Sequence, residues 1–311
     1  LIYADSLWHL FYTDGNVDAH PWTGPGNEIN IEHAVSRNLE NWTQKERALT
    51  VGLNGSLDDE HIYAPNVIRA NGKYYMFYTG NDGGFLDGEH IFMPESDNLY
   101  SWHRVSGNSI FLPNLQYRVL YGMTSDSSIR PVSFRDPFVL TDETYGYICY
   151  SVCRLEAADG NFDFACVAAA TSPDLVNWTD HGPVLTRLYQ GYDAATTWSH
   201  PESPCVVKKD SMYYLFWKGG AGTRYAISKD PLNFHNRDAY FLSTSHASKV
   251  FEWNGEWFIT SCSRWVHDAS HTISDRTKGL FIARLKWDAL HPELIPFSEY
   301  GKAFSVPEVI R

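Results

Sequence analysis

Two acidic residues, each beside proline, stand at the head of otherwise apolar runs: Asp136 in Arg135-Asp136-Pro137, and Glu202 in Pro201-Glu202-Ser203-Pro204. Taken singly, either reads as a turn residue or as half of an ion pair at a sheet edge. Together they read differently. They fall at matching places in successive repeat units, both aimed at one axis, and like charges brought together cost stability unless they serve a function. Carboxylates so placed are candidates for acid/base chemistry.

The elements that must position them are written as a repeat. SRNLENW (36–42), SDNLYSW (96–102) and SPDLVNW (172–178) share the pattern S-x-[DN]-L-x-x-W, and SKDPLNF (228–234) is a degraded fourth copy. An aromatic run precedes each: WHLFY (8–12), YYMFY (74–78), YGYICY (145–150) and MYYLFW (212–217), with a fifth, EWFITSC (256–262), leading to GLFIARLKW (279–287). Long helical periodicity is absent, and Asn-Gly pairs at 71–72 and 254–255 sit before aromatic runs as hairpin signals. The chain opens LIYADSLWHLFYTDG, two short strands about a turn at Asp5-Ser6.

Five units of about 60 residues, each of several short strands, predict an all-β five-bladed β-propeller, because one blade cannot bury both of its faces alone. The expectation is a single propeller domain over 1–311, with blade 1 at about 1–50, blade 2 at about 51–115, blade 3 at about 130–190, blade 4 at about 195–240 and blade 5 at about 241–300. Blade one is expected to lack its innermost strand unless the chain terminus supplies it from elsewhere. In the repeat, Leu and Trp pack between blades while Asp or Asn tightens a turn by bonding its own backbone.

The first strand of each blade lines a propeller's axis, so the segments ahead of the aromatic runs are the ones to compare. They read HIYAPNVIRANG (61–72), SFRDPFVLTDETYG (133–146), SHPESPCVVKKDS (199–211) and SHASKVFEWNG (245–255).

Composition narrows the partners. With 43% hydrophobic and 15% aromatic residues the chain can bury a large core. Lys plus Arg is 25 against 37 for Asp plus Glu, a formal charge of −12 that opposes nucleic acid and anionic membranes as partners. No apolar run approaches the roughly 18 residues needed to span a bilayer as a helix. The five cysteines, Cys149, Cys153, Cys166, Cys205 and Cys262, form no CxxC pair and read as buried free thiols. Compartment and oligomeric state are left open.

Phe134-Arg135-Asp136-Pro137, followed by Glu202 in a Glu-x-Pro setting, resembles the second and third motifs of glycoside hydrolase family 32, the fructofuranosidases, within the five-bladed furanosidase group that includes families 43, 62 and 68. EHAVSRNLENW (32–42) and YYMFYTGND (74–82) are similar to that family's first and second blades.

The resemblance implies glycoside cleavage through an oxocarbenium-like state. Glu202 would be the general acid/base and Asp136 the transition-state stabiliser, bonded to sugar hydroxyls. Arg135 would bind the sugar or hold Asp136, and Asn66 and His246 would complete the substrate contacts. The family's first motif, Asn-Asp-Pro-Asn-Gly, runs into a strand pair patterned like LIYADSLWHLFY, which puts the nucleophilic aspartate a few residues before Leu1. Asp5, at the turn, and Asp14, beyond the second strand, are poorer alternatives.

The chain departs from the family pattern at Ser203 (commonly Cys), at Tyr63-Ala64-Pro65-Asn66 (a Ser-Gly stretch) and at Thr13 (often Gln), and the family's C-terminal β-sandwich is not expected. Ser245-His246-Ala247-Ser248 resembles family 43, where a central histidine can organise the axis or a bound ion. No cofactor is implied beyond such a structural metal ion.

The partner implied is a small-molecule or oligosaccharide substrate, a β-fructofuranoside cleaved with retention. The alternatives are an inverting arabinofuranosidase or xylosidase of the family 43 type, and a carbohydrate-binding propeller without turnover. For the chain from Leu1 onward, the expectation is weak sugar binding with hardly any turnover.

Overall fold

The computed structural model describes residues 1–14, 27–82, 89–104, 129–157, 163–186, 201–219, 222–234, 239–243, 247–263 and 278–295. Strands and turns account for their regular structure, and no helix occurs among them. Five antiparallel sheets follow one another along the chain, the arrangement of a five-bladed β-propeller.

Sheet one is β1 (Ile2–Ala4), β2 (Leu7–Asp14), β3 (Asn30–Ser36) and β4 (Trp42–Gln44), with β5 (Leu49–Thr50) also on β3. Sheet two is β6 (His61–Ala70), β7 (Lys73–Asn81) and β8 (His90–Phe92), with β9 (Glu95–Ser96) also on β7. Sheet three runs β10 (Ile129–Asp142), β11 (Gly146–Ala157), β12 (Asp163–Ser172), β13 (Thr179–Thr186). Sheet four runs β14 (Glu202–Lys209), β15 (Met212–Gly219), β16 (Gly222–Ser228), β17 (Tyr240–Ser243), and sheet five β18 (Val250–Trp253), β19 (Glu256–Ser263), β20 (Lys278–Asp288), β21 (His291–Leu294).

One difference from the sequence reading stands out. Blade one does not lack its first strand: Ile2–Ala4 pairs with Leu7–His9 and heads sheet one. The chain divides into two compact units, one of residues 1–35 and 44–188 and the other of 36–43 and 189–311. In the first unit β2 packs on β6 and β6 on β10; in the second β14 packs on β18.

Hairpin turns set the register. Asn71-Gly72 and Asn254-Gly255 both take positive φ at each position, 50° and 80° in one and 52° and 79° in the other, the backbone that joins right-twisted strands by two residues. Asp5-Ser6 does the same at 50° and 64° without glycine.

The S-x-[DN]-L-x-x-W repeat is a turn of a different kind. Asn38, Asn98 and Asp174 each accept two backbone N–H groups two and three residues on. The following Leu39, Leu99 and Leu175 sit at φ 65°, 69° and 66°. Each tryptophan then donates its indole N–H to that leucine's carbonyl, at 3.1, 3.2 and 3.2 Å.

The tryptophans also join blades of the first unit: Trp102 meets Phe11 edge-on at 5.5 Å and Trp178 meets Phe77 at 6.2 Å. Leu99 shares a core with Phe11, Ile31, Met76 and Tyr78, and Leu175 shares one with Phe77, Phe134 and Cys149. Cys149, Cys153, Cys166 and Cys205 are buried free thiols, and Cys262 is a half-buried one.

Candidate active site

The site starts from a bulge repeated in three sheets. In sheet two the register jumps from Tyr63 opposite Thr79 to Asn66 opposite Phe77, so Ala64 and Pro65 face one partner residue. Asp136 and Pro137 do so in sheet three, and Ser203 and Pro204 in sheet four.

The first residue of each bulge is left-handed, with φ 54° at Ala64, 57° at Asp136 and 51° at Ser203. Such a conformation costs a residue with a Cβ about 1 kcal/mol, and the bulge that contains it re-aims the strand's side chains. Proline fits the second place because a bulge leaves an N–H unpaired there. Ala247, ahead of β18, is left-handed too, at φ 52°, and Ser248 follows it where the other three segments have proline.

Three blades can now be read side by side. Tyr63, Arg135 and Glu202 occupy the position before the bulge; Ala64, Asp136 and Ser203 occupy the left-handed position. The two carboxylates found by sequence are therefore not equivalent: Asp136 sits in the bulge, and Glu202 sits one residue ahead of it.

Hydrogen bonds between blades hold the bulges of the first unit. Thr79 Oγ1 accepts the Asp136 N–H at 2.9 Å, and Thr13 Oγ1 accepts the Ala64 N–H at 3.2 Å. Thr13 is thus the threonine that does for blade two what Thr79 does for blade three. Asn66 Oδ1 accepts the Val139 N–H at 2.9 Å, and in the second unit Cys205 Sγ accepts the Val250 N–H at 3.3 Å from the same register place. Asn66 therefore has a structural duty that the sequence reading did not give it, and its amide NH2 is the group a sugar contact would use.

Around Asp136 the charges are organised. The residue is only 7% exposed. Arg135 Nε lies 3.9 Å from Asp136 Oδ2, and Arg135 NH1 lies 3.4 Å from Glu89 Oε1. Glu89 Oε1 also accepts the Tyr63 hydroxyl at 2.6 Å, and Glu89 Oε2 the Phe134 N–H at 3.0 Å. Burial, with the Glu89 carboxylate beside it, holds the Tyr63 phenol well above its usual range, so it stays a donor.

In the second unit, Glu202 and Lys218 are cross-strand partners on β14 and β15, with Lys218 Nζ 2.8 Å from Glu202 Oε2. Nearby, Lys249 Nζ donates to the Pro204 carbonyl at 2.8 Å. The structure thus brings together Arg135, Asp136 and Asn66 in one unit and places Glu202 in the other. His246 lies outside the described residues, and among the described residues no group of three or more His, Cys, Asp or Glu is gathered as a metal site.

Residues 1–164 match the model of the glycosyl hydrolases family 32 N-terminal domain, more than half of the chain. The chain belongs to glycosyl hydrolase family 32. The family-32 chain is 24% identical over 251 residues to a 1,2-beta-oligomannan phosphorylase of Thermoanaerobacter sp. (strain X514), a match covering 80% of this chain and 69% of the relative. It shares its fold with a thermostable family-43 glycoside hydrolase, at TM-score 0.66 and 19% identity over 94% of this chain and 90% of the other. It also shares it with a sucrose-6-phosphate hydrolase from Lactobacillus gasseri, at TM-score 0.63 and 17% identity over 94% and 58%. The protein is a glycosidase on a five-bladed propeller, and its substrate class is carbohydrate.

Sequence reasoning missed Glu89, Tyr63, Thr79 and Lys218. Tyr63 was within reach, since it stands one residue before x-Pro like Arg135 and Glu202. Glu89 carries no local signal, and Lys218 meets Glu202 only because the bulge adds a residue to β14.

Proposed function

We propose that this family-32 protein cleaves terminal β-fructofuranosides with retention, Glu202 serving as general acid/base, Asp136 as the carboxylate that stabilises the charged sugar ring, and a third carboxylate as the nucleophile that retention requires. The observation that carries the reading is the proline-marked bulge shared by β6, β10 and β14, with Asp136 inside it in β10 and Glu202 one residue ahead of it in β14. Asp136 is buried beside Arg135 and has its backbone pinned by Thr79, so its carboxylate is held in place before substrate arrives. Glu202 is more open than Asp136, as a group that must exchange protons with a leaving oxygen and with water needs to be. Arg135 supplies fixed donors, and Asn66 and His246 are proposed to touch the sugar.

A second reading, phosphorolysis of a mannoside, is favoured by the oligomannan phosphorylase relative. One panel separates the two. The full-length protein is assayed on sucrose, inulin-type oligosaccharides, an aryl arabinofuranoside and a β-1,2-mannan oligosaccharide, with and without inorganic phosphate, and the first-formed anomer is read by NMR. Fructose released from sucrose or inulin with its configuration kept supports the proposal. Inverted arabinose would move the protein to the family-43 chemistry, and a mannose 1-phosphate formed only with phosphate would replace hydrolysis by phosphorolysis.

A further inference from the structure

Glu89 is a carboxylate with a 4% exposed side chain that takes donors from two blades. Tyr63 on β6 donates its hydroxyl, Phe134 on β10 its backbone N–H, and Arg135 on β10 its guanidinium. Burying a carboxylate is costly even when donors surround it, as Tyr63, Phe134 and Arg135 do here, and two blades can be bridged by uncharged groups. The negative charge therefore needs a use, and the geometry supplies one. Arg135 stands between two carboxylates, with NH1 toward Glu89 and Nε toward Asp136. Without Glu89, more of the guanidinium charge would fall to Asp136, whose own charge would then be less available to a cationic sugar ring.

We propose that Glu89 is a positioning residue that shares the charge of Arg135 and so keeps the Asp136 carboxylate available to the reacting sugar. Tyr63 completes the chain, Tyr63 to Glu89 to Arg135 to Asp136, and ties the two pre-bulge positions of neighbouring blades to one carboxylate. The inference rests on Asp136 being the stabiliser.

The test is a double-mutant cycle of Glu89→Gln and Asp136→Asn on whichever glycoside the wild-type protein cleaves, with kcat, KM and Tm measured for each. Glu89→Gln is expected to lower kcat about 10-fold with KM within about twofold, since the charge acts mainly on the transition state. The double variant is expected to be no slower than Asp136→Asn alone. Losses that multiply, or an unchanged kcat in Glu89→Gln, overturn the proposal, because a purely architectural Glu89 lowers Tm and acts independently of Asp136. Tyr63→Phe, which removes one donor and leaves the charge, gives the same non-additive pattern at smaller amplitude and reads the chain if Glu89→Gln does not fold. A wild type that cleaves a glycoside other than a fructofuranoside refutes the substrate reading and leaves the cycle intact. An unaffected Asp136→Asn refutes the stabiliser role, and this proposal falls with it.

Discussion

At the residue scale the two carboxylates differ in surroundings, and the difference predicts separable defects. Glu202 faces Lys218 across a strand pair and is half-buried, while Asp136 lies inside a bulge with its backbone bonded to the preceding blade. Glu202→Gln removes proton donation, so cleavage of natural glycosides should slow by roughly 10²-fold to 10⁴-fold, the usual worth of acid/base catalysis. An aryl glycoside, whose leaving group needs little protonation, should lose much less. Asp136→Asn should slow both substrates alike, since stabilising the charged ring does not depend on what leaves. Kinetics on a matched pair of alkyl and aryl glycosides checks both, and equal losses for Glu202→Gln on the two would remove it from the acid role.

At the scale of elements, sheet one carries a feature with a pH signature. His9 on β2 and His33 on β3 are buried, with His9 Nδ1 3.0 Å from His33 Nε2. Their other ring nitrogens, His9 Nε2 and His33 Nδ1, are buried without a hydrogen-bond partner among the described residues. The His33 ring also stacks on Phe11 at 4.6 Å and meets Tyr100 at 5.1 Å. Burial, with His9 and Lys45 adding repulsion, pushes His33 down to about 4. The unfolded chain therefore binds more protons below an ordinary histidine pKa of about 6.5, and the folded state is favoured above it. Stability should be fully present above pH 6.5 and fall progressively towards pH 4, by on the order of 3 kcal/mol for a shift of this size. Urea midpoints at pH 7.5 and pH 4.5 measure the fall, and His33→Gln should make it shallower; an unchanged slope would mean that carboxylates elsewhere dominate.

At the scale of the whole molecule the governing quantity is the formal charge of −12. Such a field slows the approach of anions and leaves neutral sugars unaffected, and salt screens it over a Debye length of about 10 Å at 0.1 M. For a neutral fructoside, kcat/KM should be flat between low salt and 0.5 M, whereas a phosphorylated sugar should gain as salt rises. Initial rates across that range are sufficient, and a steep fall with salt would point to a local cationic recognition site overriding the net charge.

The amino-acid order by itself determined the five-unit repeat, the hairpin turns at Asn71-Gly72 and Asn254-Gly255, the Asn and Asp turn caps, the buried thiols and the family motif at Phe134 to Pro137. All of these are local: a turn residue bonds its own backbone, and an aromatic run packs on whatever blade comes next. Tertiary structure decided what depends on register. The bulges at Ala64, Asp136 and Ser203 shift each first strand by one residue, and that shift pairs Glu202 with Lys218 and sets Tyr63 and Arg135 on one carboxylate. It also turned Asn66 and Thr13 into inter-blade straps, though both were read as points where the chain departs from its family. Partners on different blades meet only after sheets pack on one another, and no spacing rule along the chain encodes that packing.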